Sequence, residues 1–268
     1  MSWRIFIIIC TLFFLTCQDE IQNGHNKLLP RVEKGILDLR SWDLDKDGPV
    51  PLAGDWEFYW KDFIDINLFS SSTEPKAPSF IYVPGIWNDF AVSKTISDEQ
   101  SNENSIGGKG YATYRLQILM PDTIHFKSDR PGIKIWAQNS SYQLFINGIL
   151  YSEVGKIAKN ENESSPAFFP QIIPLINQSK IYDVVFYVSN YDQAKGGLWN
   201  KVLFGTEKDL IQIRNNNLFL DLFLFGALTL MGFYHLGLFN LRRKDQSSLY
   251  FGIYCFIVGA FVIFSNLS

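Results

Sequence analysis

Between Cys17 and Cys255 the chain contains no cysteine, and Cys10 is the one other. The middle of the protein therefore cannot be stapled by disulfides or bind zinc through thiolates. Histidine is nearly as scarce, and His25, His125 and His235 are scattered rather than clustered. No serine, cysteine or lysine falls in a nucleophile motif, and no phosphate loop or Gly-rich dinucleotide fingerprint is present. The paired carboxylates of a glycosidase are defined by spatial separation, which a sequence does not display. The expectation is a non-enzyme that needs no cofactor and no metal. Basic charge is lacking too. The 24 Lys and Arg are outnumbered by 27 Asp and Glu, a net charge of −3, which gives nucleic acid no electrostatic foothold.

What is present is concentrated at the two ends. Residues 5–15 form an apolar run behind Arg4. Eleven helical residues cover about 16 Å, half of a ~30 Å hydrocarbon core. Residues 1–17 thus suit a signal peptide, and "FLTC" is a loose lipobox that makes Cys17 a lipidation candidate. Near the other end, residues 218–241 and 249–267 are apolar runs long enough to span a bilayer. Neither shows the polar stripe of a soluble helix. Between them, residues 242–248 carry Arg242, Arg243 and Lys244, whereas the flank "IRNNNLFLD" has Arg214 alone. Short basic loops stay cytoplasmic, so everything before the first span is expected outside. Asp221 and His235 are ionisable groups in that span. Their separation of 14 residues forbids direct pairing along one helix.

Residues 35–210 read as antiparallel β-structure, preceded by a linker over 18–34. "GDWEFYW" alternates, with Trp56, Phe58 and Trp60 on one face and Asp55, Glu57 and Tyr59 on the other. "YATYRLQI" and "IKIWA" alternate as well, and "YDVVFYVSN" suits a central strand. "YQLFINGILYSEVG" predicts a hairpin, because Asn147-Gly148 accepts the positive φ of a type I′ turn. Short strands without intervening amphipathic helices argue for a sandwich rather than a parallel sheet. Trp56, Phe58, Trp60 and Trp136 are assigned to its core, and Gly196-Gly197 to a tight turn. Two polar loops, residues 92–109 and 158–166, are either mobile or binding loops. For ligand contact the candidates are aromatic faces and polar groups near strand ends: Trp87, Asn88, Tyr111, Arg115, Asn190, Asp192 and Trp199.

The ordered set "DLRSWDLDKDGPVPLAGDWEFYW", "VPGIWN", "GYATYRLQI", "LFINGILYSEVG" and "VSNYDQAKGGLW" resembles the extracellular domain of bacterial seven-transmembrane receptors with diverse intracellular signalling modules. "DLFLFGALTLMGFYHLGLFNLRRKDQSSLYFGIYC" resembles the first two helices of that family's membrane domain, so the likeness covers roughly residues 35–267. A wider likeness runs to galactose-binding-like domains, through Gly54/Trp56/Phe58, Val83/Pro84/Trp87 and Asn147/Gly148. These resemblances imply a jelly-roll β-sandwich followed by a transmembrane helical hairpin, in a bacterial inner membrane with the sandwich in the periplasm. They imply a small-molecule ligand of carbohydrate type, and a second copy or a receptor partner in the membrane. The family carries five more spans and a cytoplasmic effector, which these 268 residues lack, so its output does not carry over. The expected role is ligand sensing. The alternatives are a membrane-tethered protein-interaction module or an inactive receptor remnant.

Overall fold

The computed structural model describes residues 27–70, 77–88, 90, 106–121, 130–244 and 246–267. The signal region with Cys17, His25 and His125, and nearly all of the 92–109 loop lie outside them. Eleven strands run in the order β1 (Ile36–Asp38), β2 (Val50–Pro51), β3 (Gly54–Trp60), β4 (Ser79–Val83), β5 (Gly110–Leu119), β6 (Pro131–Ile135), β7 (Ser141–Ile146), β8 (Ile149–Val154), β9 (Gln171–Pro174), β10 (Ile181–Asn190) and β11 (Val202–Thr206). One helical turn, α1 (Leu44–Asp47), precedes β2, and a 3-10 turn covers Ile66–Ser70. Two long helices close the chain, α2 (Glu207–Leu241) and α3 (Gln246–Leu267).

The strands form two sheets, ordered β4-β3-β5-β10-β7-β8 and β2-β11-β6-β9. Their pairings are antiparallel, except that β1 runs parallel to the end of β5. The predicted central strand β10 lies between β5 and β7, which explains why "YDVVFYVSN" is apolar on both faces. One core joins the sheets: Tyr182 of β10 meets Phe204 of β11 at 5.7 Å between ring centroids, and within the larger sheet's inner face Trp56 meets Phe186 at 6.0 Å. Each such side chain, fully buried, contributes roughly 1.5–3 kcal/mol. The hairpin forms at Asn147-Gly148, with φ of 49° and 81° as a type I′ turn demands.

Several boundaries differ from the sequence reading. Val32, assigned to the linker, is buried and bridges Gly54, so the sandwich begins before residue 35. Trp136 follows β6 and is half-exposed, so it is not a core residue, because the chain leaves the sheet at Ile135. Trp60 packs against the core from a partly exposed position. Tyr59, on the outward face, is buried because residues 61–70 fold across that face and place Phe69 6.0 Å away.

The most consequential difference is at the helices. α2 starts at Glu207, eleven residues before the apolar run, because Thr206 caps it by accepting from the Asp209 backbone N–H. α3 starts at Gln246, which shortens the loop carrying Arg242–Lys244. Both helices are long and apolar enough to cross a membrane. They cross closely at glycines: a side chain on Gly252 would meet the Gly232 carbonyl oxygen at 3.1 Å, and one on Gly232 would meet Phe256. His235 lies in this crossing with its ring 4.5 Å from that of Phe251.

Candidate functional site

Antiparallel pairing sets Asn190 beside Gly110 and Ser189 beside Tyr111, so the last residues of β10 and the first of β5 share one end of the larger sheet. Loops 84–88, 106–109 and 191–198 converge there. The Trp87 indole N–H donates to the Gly108 carbonyl at 3.0 Å, and Asn190 Nδ2 donates to the same oxygen at 2.8 Å. Asn190 also donates to Gln193 O at 2.8 Å and accepts from its backbone N–H at 3.1 Å. Asn88 donates to Ala194 O at 2.7 Å and accepts from Gly196 N at 3.0 Å. Glycine is required where these loops touch: a side chain on Gly108 would meet Ala194 O at 2.2 Å, and one on Gly196 the Trp87 ring at 2.4 Å.

Three predicted ligand contacts are thereby accounted for as scaffold. Trp87 is fully buried, between Trp60 at 5.1 Å and a parallel Tyr114 at 6.4 Å, and offers no face to a ligand. The side chains of Asn88 and Asn190 spend their polar atoms holding the loops. The remaining candidates separate. Tyr111 is half-buried, edged by Phe63 at 4.8 Å, while Asp192 is exposed on the loop after β10. Trp199 is held elsewhere, by an indole N–H bond of 2.5 Å to Gln138 O. Gln138 fixes the same segment by accepting from Asn200 N at 3.0 Å.

Arg115 lies mid-strand on the outer face of the larger sheet, away from the loop end. It bonds Asp183 through Nε at 2.8 Å and NH2 at 3.3 Å, pairs with Glu57 at 3.3 Å, and stacks on Phe69 at 4.3 Å. Burial alone would lower its pKa, but the two carboxylates outweigh burial and raise it. With 12% of its side chain exposed it is a structural ion, not an open anion receptor.

The loop end has an outer layer that the sequence reading missed. Tyr191 follows β10 beside Tyr111, and its hydroxyl is pushed up by burial, then by the proximity of Tyr111 and Glu161. Lys109 reaches Glu161 at 2.8 Å, tying loop 106–109 to loop 158–166. That second loop is closed on itself, by Lys156–Ser165 backbone bonds of 2.8 and 3.1 Å and by Asn160–Glu163 contacts. Tyr111, Tyr191, Lys109, Glu161 and Asp192 therefore supply two partly open aromatic rings and charged groups of both signs. Nothing local in the sequence brings Glu161 to Lys109, 52 residues apart, so no motif marks the pair.

No family model matches the chain, and no curated protein matches it. Solved structures with partial similarity include the β-glucuronidase from Ruminococcus gnavus in complex with D-glucaro-δ-lactam, at 14% identity and a TM-score of 0.40. That match covers 58% of this chain and 28% of the glucuronidase. The β-glucuronidase of Bifidobacterium dentium, complexed with coumarin-3-O-glucuronide, matches at 16% identity and a TM-score of 0.37, over 53% of this chain and 20% of its own.

Proposed function

We propose that the chain is the sensing part of a membrane receptor: a jelly-roll sandwich outside the cytoplasm that binds a small, carbohydrate-type ligand and is anchored by α2 and α3. The observation that carries this reading is the join between sandwich and span. Thr206 pairs with Pro131 as the last residue of β11 and is also the N-cap of α2, with no linker between. A change in the packing of the sheets is thus a change at the root of the helix, as signalling across a membrane needs. The loop carrying Arg242, Arg243 and Lys244 supports the outward orientation of the sandwich. The rings of Tyr111 and Tyr191 suit stacking on a sugar, with Lys109, Glu161 and Asp192 near for its hydroxyls. The test is thermal unfolding of the full chain in micelles against a broad panel of mono- and oligosaccharides. A saturable rise in midpoint, lost in Tyr111→Ala and Asp192→Ala, supports the reading, and no rise across the panel sinks it.

A second reading, a tethered module that binds a protein, is favoured by β8. It is an edge strand and exposes Ile149 and Leu150. Stoichiometric capture of one envelope protein, reduced by Leu150→Lys, would favour it over the first.

A further inference from the structure

Lys134 is the one lysine of the smaller sheet's strand β6, and it is 4% exposed. It projects from the face opposite the core, since its neighbours Ile133 and Ile135 point inward. A lysine is almost never buried without a partner. Among the described residues Lys134 makes no ion pair and no hydrogen bond. Its ammonium instead lies 4.2 Å from the centroid of the Trp136 ring.

A second cation stands near it. Leu210 of α2 covers Gly132, two residues before Lys134 on the same face of β6, with its Cδ1 3.3 Å from where a Gly132 side chain would begin. Arg214 is one helical turn beyond Leu210 and on the same side of α2. Burial, and then the charge of Arg214, depress Lys134 to about 8. The acids of the first turn do not neutralise the pair: Asp209 is engaged by Thr206 Oγ1 at 2.7 Å, and Glu207 lies two turns before Arg214. Two cations, one on a largely buried side chain, thus stand near each other, and neither forms an ion pair with a carboxylate among the described residues.

The structure assigns an occupant by position: we propose that Lys134 and Arg214 bind the phosphate of an anionic phospholipid headgroup. The inference rests on the reading that α2 crosses a membrane. Arg214 precedes the apolar run at Leu218 by four residues, about 6 Å along the helix, which is headgroup depth. Arg214 is exposed and gives the phosphate its entry, while Lys134 forms the floor and Trp136 the aromatic side, a composition usual at the membrane interface. Three asparagines, Asn215–Asn217, fill the stretch between the cation and the apolar run with uncharged polar groups.

The test reconstitutes the full chain in nanodiscs of POPC alone or POPC with 30% POPG, at low salt, and follows tryptophan fluorescence through thermal unfolding. The expected result is a midpoint several degrees higher with POPG. Arg214→Gln and Lys134→Gln should each abolish the difference between the two lipids, and Lys134→Arg should keep it. Equal midpoints in both lipids, or a difference that survives both Gln variants, overturns the proposal. Inorganic phosphate added to POPC nanodiscs should have no effect; if it reproduces the POPG shift, the site takes soluble phosphate and the lipid assignment is wrong. Resistance to carbonate extraction is scored in parallel. Failure to insert refutes the membrane reading and the lipid site together, whereas insertion without a POPG effect refutes the lipid site alone.

Discussion

Leu210 of α2 is fully buried against Gly132 of β6, so the first two turns of the helix belong to the sandwich and not to the apolar run that follows. Leu210→Ala should therefore destabilise the sandwich by about 2–4 kcal/mol, as truncation in a core does. Gly132→Val should also destabilise, by forcing Leu210 and the Ile173 carbonyl, both within 3.3 Å, to give way. Urea titration of the full chain in micelles, read by tryptophan fluorescence, checks both. An unchanged midpoint would mean that helix and sandwich are energetically separate.

The asparagines at the loop end predict a loss of stability rather than a simple loss of affinity. Asn190→Ala removes the donor that Gly108 O and Gln193 O share and the acceptor of Gln193 N, at a cost of about 1–3 kcal/mol. Asn88→Ala should behave alike, since it frees Ala194 O and Gly196 N. Hydrogen exchange should show faster exchange over residues 106–110 and 191–198 in both variants. Tyr191→Ala, which touches the outer layer only, should leave those amides protected.

Arg115→Met should cost about 2 kcal/mol. It leaves Asp183 and Glu57 facing each other across β5 without the guanidinium, in a site open enough that solvent takes up part of the charge. Adding Asp183→Asn and Glu57→Gln to the same chain should recover most of the loss. The check is the double comparison of unfolding free energies, with the recovery as the decisive quantity.

Lys134 makes stability depend on alkaline pH. In the folded chain it titrates at about 8, against 10.5 for an ordinary lysine, so the unfolded chain binds more protons between those values. Stability then rises as pH climbs from about 8 to 10.5, and below that window the penalty is constant. At about 1.4 kcal/mol per unit the ceiling is about 3 kcal/mol. In zwitterionic micelles, urea midpoints should increase between pH 7.5 and 9.5. Lys134→Met should be more stable at pH 7.5 and lose the slope.

Much of the fold was legible because its signals are local. Alternation in "GDWEFYW", the left-handed pair Asn147-Gly148 and the mostly apolar "YDVVFYVSN" each report their own surroundings within a few residues. Lys134 shows where that stops. The sequence reading put Trp136, two residues on and on the same side of the strand, in the core; that side in fact faces away from the core and is still covered, since Leu210 of α2 packs there from 76 residues further along. Tyr59 is covered in the same way by Phe69. The start of α2 was hidden for another reason: "EKDLIQI" is too polar for a span, and its helical state is set by the Thr206 cap and by Leu210 seating on β6. For the candidate site, the sequence pointed to residues near strand ends but could not tell a buried tryptophan from a stacking one. Trp87 has the same neighbours in sequence either way, and its Gly108 partner lies 21 residues distant.

The unbroken passage from β11 through Thr206 into α2 has a mechanical meaning. A helix of 35 residues is a rod about 52 Å long, clamped at one end by Leu210 and the Glu207–Arg130 bond. A pivot of about 5° at the clamp swings the far tip by roughly 4–5 Å, near one helical turn. The tip ends at Arg242, where the cations are, and α3 must follow because the glycine crossing locks the two rods together. Sub-ångström adjustments among the strands would thus arrive magnified at the basic loop.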